Sequence, residues 1–97
     1  MRATREGSAW IAKLMDSIDA GRFEEAERML PNLMGDEDPL ATVLEAEVHL
    51  YFCRLERARE CLAQVNPWRL NVHSLPRYLT VLGQLYVCLL YTSDAAD

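Results

Sequence analysis

His49 and Cys53 stand four residues apart, a spacing that can hold a metal ion on one face of a continuous helix. A turn is expected between them, however, and no second pair of ligands follows, so both read as structural or surface residues. Cys61 falls on an inward apolar stripe and reads as a small core residue rather than a nucleophile. Cys53, Cys61 and Cys88 show no metal or disulfide spacing, which points to a reduced, cytoplasmic setting. The histidines are His49 and His73, and neither lies in a nucleophile context from which a Ser/His/acid set could be assembled. Asp36-Glu37-Asp38 lacks the length and ligand alternation of a calcium loop. The attraction of carboxylates to the helix N-terminus that follows is a sufficient explanation of that run. Four isolated glycines make no phosphate-cradling loop. Trp10 has the placing of a core residue, and Trp68, in a polar stretch, is the better candidate for an exposed contact. The expectation is a non-enzyme with no catalytic residue, cofactor or metal.

The elements that would carry such residues belong to one small domain. A chain of 97 residues buries a modest share of its surface, so its core is marginal unless neighbours complete it. The formal charge is −5, and basic residues alternate with acidic ones in Glu56-Arg57-Ala58-Arg59-Glu60. That is a solvated helix face, and it argues against nucleic acid, whose phosphates need clustered Lys and Arg. The polar N-terminus is followed by no apolar signal region. The apolar run from Val81 to Tyr91 is too short to span a bilayer and contains Gln84, so no membrane contact is expected.

Apolar periodicity predicts five helices and no strand. The first is capped by Ser8 after a flexible leader at 1–7, carries Trp10, Ile11, Leu14, Met15 and Ile18, and ends at Gly21, which supplies a left-handed turn residue. A second starts near Arg22 with Phe23, Ala26, Met29, Leu30 and Leu33 on one face, and Pro31 ends or kinks it. Gly35 to Asp38 breaks the chain. Asp38 and Pro39 then open a third helix carrying Leu40, Val43, Leu44, Ala46, Leu50 and Tyr51. After a turn at Phe52-Cys53, a fourth helix holds Leu55, Ala58, Cys61, Leu62 and Val65 inward until Asn66-Pro67 stops it. A linker at 67–73 leads to a fifth, capped by Ser74, with Tyr78, Leu79, Leu82, Gly83 and Tyr86 as its stripe. Short turns between such helices make antiparallel hairpins.

Residues 11–33 repeat in 43–65 at an offset of 32. Ile11 falls on Val43, Ile18 on Leu50, Arg22 on Arg54, Phe23 on Leu55, Ala26 on Ala58, Leu30 on Leu62 and Leu33 on Val65. The matched positions are mainly those that must pack. Ala26 and Ala58 sit where a second helix has to approach the first closely.

Gly21-Arg22-Phe23-Glu24-Glu25-Ala26 with Leu30 resembles the turn and second helix of a tetratricopeptide repeat, and Cys53 to Ala58 with Leu62 looks like the same element with Cys in place of Gly. Leu82-Gly83-Gln84-Leu85-Tyr86 resembles the middle of that family's first helix. The resemblance covers about residues 9–87. It departs from the family pattern at Glu47 and Met15, where a small residue is usual, and in the long second linker. It implies an all-α fold of antiparallel hairpins stacked as a solenoid fragment: repeats at 8–35 and 38–66, and at 74–87 the first helix of a truncated third. It also implies a protein-interaction scaffold with a concave groove drawn from the helices at 9–19 and 40–51. Asp16, Asp19, Leu44, Glu47, Val48 and Tyr51 are the expected groove contacts, with a protein or peptide as partner. The alternatives are a sensor segment of a larger bacterial transcription or signalling regulator and, third, a small enzyme whose active site arises at an oligomer interface.

The final ten residues, Cys88 to Asp97, resemble a translated oligonucleotide rather than a protein family: TGT CTC TTA TAC ACA TCT GAC GCT GCC GAC, the transposase end and read primer of a sequencing-library adapter. Native sequence is then expected to end near Val87, with a formal charge of −3 once Asp94 and Asp97 are set aside. A chain of two and a half repeats is expected to belong to a longer array.

Overall fold

Gly21 and Cys53 close two helical hairpins with the same turn. In the computed structural model, which describes residues 2–33 and 38–96 (side chains at 9–33 and 38–90), both adopt positive φ, 80° and 62° respectively. The Gly21 N–H donates to the Ile18 carbonyl and the Arg22 N–H to that of Ser17. Thirty-two residues on, Cys53 donates to Leu50 and Arg54 to His49. These paired bonds satisfy carbonyls that the end of a helix leaves open, and the left-handed residue between them makes them possible. Arg22 and Arg54 then start the next helices with nearly equal backbone angles, φ −90° and ψ 67° against φ −88° and ψ 69°.

A β-carbon in the left-handed region is unfavourable, whereas glycine accepts it at the expense of extra chain entropy. Cys53→Gly is therefore expected to stabilise the fold by on the order of 0.5–1 kcal/mol, and Gly21→Ala to destabilise it by a similar amount. Urea midpoints would measure both. Midpoints unchanged or moved the other way would remove strain from the account of this turn.

The helices are α1 (Arg2–Asp19), α2 (Phe23–Met29), α3 (Pro39–Tyr51), α4 (Leu55–Ala63) and α5 (Leu75–Ala96), and no strand occurs among the described residues. Short 3-10 turns follow α2 at Leu30–Leu33 and precede α5 at Pro67–Arg69. The first contains Pro31, whose ring cannot continue an α-helix. Asp38 caps α3 by accepting the Leu40 N–H at 2.9 Å, with Pro39 in the first turn. The expected chain break at Gly35 to Glu37 lies outside the described residues.

Three boundaries differ from the sequence expectation, the first being that α4 ends at Ala63 and leaves Val65 beyond it, short of Asn66-Pro67. Helix α1 begins at Arg2, so Ser8 lies within it rather than capping it, and residues 2–7 of the expected leader are helical. At α5 the Asn71 side chain, not that of Ser74, takes up the free amides, accepting from the His73 and Ser74 N–H groups at 2.9 Å each. Ser74 contributes its carbonyl, which accepts from Tyr78.

α1 packs on α2 and α3 on α4, while α3 also meets α1, α2 and α5. Two apolar clusters result. Ile11, Leu14, Ile18, Ala26, Leu33, Ala41, Leu44 and Val48 bury one, with Trp10, Phe23 and Leu30 against its edge. Val43, Ala46, Ala58, Cys61, Leu62, Val65, Tyr78, Val81 and Leu85 bury the other, with Leu50, Leu55 and Leu82 against it. Helix α3 thus feeds both clusters from opposite faces.

Helix α5 takes the place relative to α3 that α3 takes relative to α1. An offset of 37 carries the buried Ala41, Leu44 and Val48 onto the buried Tyr78, Val81 and Leu85. The expected stripe on α5 is corrected accordingly: Leu79 and Tyr86 are more than half exposed, and Gly83 has open space where its β-carbon would lie. By the same offset Ala46, which faces α4, maps onto Gly83, so the side of α5 equivalent to a second-helix contact is uncovered among the described residues.

Candidate functional site

Among the described residues, side chains that could bind something gather in several places, two of which stand out. The first is a groove of about 750 Å³ between α3 and α5, lined by Glu47, Leu50 and Tyr51 on one side and Leu79, Gly83 and Val87 on the other. Phe23, at the start of α2, closes one end. Its ring stacks on Tyr51 with centroids 3.9 Å apart and planes within 3°, which fixes Tyr51 although 57% of it is exposed. Pre-ordering an exposed tyrosine lowers the entropy lost when something packs on it.

Arg77 ties the groove to the charged end of α1. Its guanidinium donates to Glu47 at 2.9 Å and to Asp19 at 3.0 Å. Burial pushes the Glu47 carboxyl above its ordinary pKa, and the Arg77 charge and hydrogen bond counter that rise in part. Asp19 remains largely exposed, so the three residues form a charged rim beside an apolar floor.

The expected groove contacts separate into three groups. Tyr51 and Glu47 line the groove and Asp19 reaches it through Arg77. Asp16 is exposed on α1 away from the lining. Leu44 and Val48 are corrected outright: both are fully buried between the hairpins and reach no solvent. This groove lies between α3 and α5, whereas the expected one draws on the helices at 9–19 and 40–51. Nothing about a single α3 stripe could reveal this, because α3 is apolar on two opposed faces.

The second place was not anticipated. Glu45 and His49, one turn apart on α3, meet Cys61 of α4, and one donor atom from each lies within 4.8 Å of the other two. His49 and Cys61 are buried, and Glu45 is half-exposed. The Glu45 carboxylate is 3.5 Å from His49 Nε2, and Arg54 Nη1 is 3.4 Å from His49 Nδ1. Arg54 is itself held by Glu27 of α2. With Arg54 donating to Nδ1, His49 is the tautomer that donates from Nε2 to Glu45. Burial, reinforced by the Glu45 carboxylate, pushes the Cys61 thiol up to about 12. A cysteine nucleophile needs the opposite shift. The i,i+4 spacing of Glu45 and His49 was visible in the sequence, but the approach of Cys61 depends on the hairpin register.

The remaining singled-out residues stand apart. Cys53 is exposed at its turn, His73 is exposed before α5, and Trp68 is 93% exposed. No described helix is long and apolar enough to cross a membrane. Comparison with protein-family models, curated proteins and solved structures finds no match to this chain.

Proposed function

We propose that the chain is a tetratricopeptide-like helical-repeat module that binds a peptide or partner helix in the groove between α3 and α5, without catalysis. The observation that carries this reading is the combination of an apolar floor at Leu50, Leu79 and Val87 with the stacked, exposed Tyr51 and the Arg77-centred charged rim. A helical ligand would set apolar residues at i, i+3 or i+4 and i+7 on the floor, and its polar residues would meet the rim. Rigid aromatic anchors dominate such interfaces, so Tyr51 carries the largest share of the affinity. The two equivalent turns and the 32-residue offset support the repeat reading of the scaffold.

Selecting binders to the full chain from a displayed random-peptide library tests the proposal. Tyr51→Ala should weaken selected peptides by about 2 kcal/mol or more, roughly thirtyfold in Kd by titration calorimetry. Val87→Asp should abolish binding while the far-ultraviolet circular dichroism stays unchanged. Peptides indifferent to both substitutions, or no enrichment at all, would remove the groove as the binding site.

A further inference from the structure

We propose that Glu45, His49 and Cys61 form a three-ligand site for a divalent ion of the zinc class, clipping α3 to α4. One carboxylate oxygen, one imidazole nitrogen and one thiolate are a donor set that borderline ions of the Zn²⁺ and Co²⁺ kind accept, while Mg²⁺ and Ca²⁺ prefer oxygen alone. The i,i+4 placing of Glu45 and His49 presents both from one face of α3, and Cys61 supplies the third donor from the facing helix. Tetrahedral bonds of roughly 2.0–2.3 Å put neighbouring ligand atoms about 3.5 Å apart. Glu45 Oε2 and His49 Nε2 already stand at 3.5 Å, and every donor pair is within 4.8 Å, so closing round an ion takes shifts on the order of 1 Å.

On binding, the Cys61 thiol gives up its proton to solvent and bonds as thiolate, Glu45 bonds as carboxylate, and neutral His49 bonds through Nε2. The two anionic ligands balance the dication. Water entering on the half-exposed Glu45 side completes four-coordination. His49 must then carry its hydrogen on Nδ1, which displaces the Arg54 hydrogen bond; Arg54 keeps its partner Glu27. Arg54 is therefore a competitor of the metal at this site.

The test is titration of the untagged, chelator-treated full chain with Co²⁺, then displacement by Zn²⁺. One Co²⁺ per chain is expected, with a thiolate-to-cobalt charge-transfer band and intense tetrahedral d–d bands, and with a Tm that keeps rising with the logarithm of free Co²⁺. Cys61→Ala and His49→Asn should remove the charge-transfer band and the binding respectively. Glu45→Gln should weaken affinity by about tenfold or more. Arg54→Met should tighten it, and Cys53→Ser with Cys88→Ser should leave it unchanged. Circular dichroism checks each variant for folding, and if the buried positions fail to fold, the half-exposed Glu45→Gln decides. A missing band at large Co²⁺ excess, a band that survives Cys61→Ala, or equal affinity in Glu45→Gln overturns the proposal.

Discussion

Replacing Leu44 by alanine should cost about 2–5 kcal/mol of folding stability, the range for deleting a fully enclosed leucine side chain. Leu44 is inaccessible to solvent and sits at the seam between the hairpins, in one cluster with Ile11, Leu14 and Ile18 of α1 and Ala26 of α2. Its loss leaves a cavity bounded by three helices that cannot all move inward at once. Native stabilities lie at about 5–15 kcal/mol, and a domain of this size belongs near the lower end, so the substitution threatens the fold itself. Urea denaturation measures the effect as a lower midpoint at constant slope. Tyr51→Ala, on the same helix but more than half exposed, is the internal comparison. Equal losses in the two variants would mean that α3 does not lie between the hairpins as described.

The second large effect is overpacking. Ala26 and Ala58 have no exposed surface, and each faces the helix before it across a close contact. Leucine at either position adds three carbons where the helices meet, which forces off-rotamer packing or separates the pair, at about 1–3 kcal/mol each. The two costs should be similar, because the positions are equivalent within the repeat. Ala63, exposed at the end of α4, tolerates the same substitution within about 0.5 kcal/mol. Denaturation midpoints again decide, and leucine accepted at 26 or 58 would show that the helices there are held apart by other side chains.

The parts of this fold legible in the sequence are those written locally. Gly21 and the Asp38-Pro39 cap each act within a few residues, and the 32-residue offset makes Cys53 readable as a glycine substitute. Ser8 is a good cap by type, yet the chain continues the helix back to Arg2. The misassignment of Leu44 and Val48 has a different origin. With apolar side chains on both faces, the periodicity of α3 marks burial but not which neighbour buries each residue. Helix α5 poses the same difficulty, and the outward turn of Gly83 and Tyr86 emerges only from its docking against α3 and α4. The Glu45, His49 and Cys61 group needs one more relation, the height at which α4 lies along α3. That register depends on the Phe52-Cys53 turn and on Ala58 allowing close approach.

The position of α3, in contact with each of the other four helices, also couples the two ends of the chain. The other main contacts join helices that follow one another along the chain, α1 with α2 and α4 with α5. Loosening α3 is therefore expected to weaken packing at both ends of the chain. The central helix is the element through which the two ends of the chain are mainly joined.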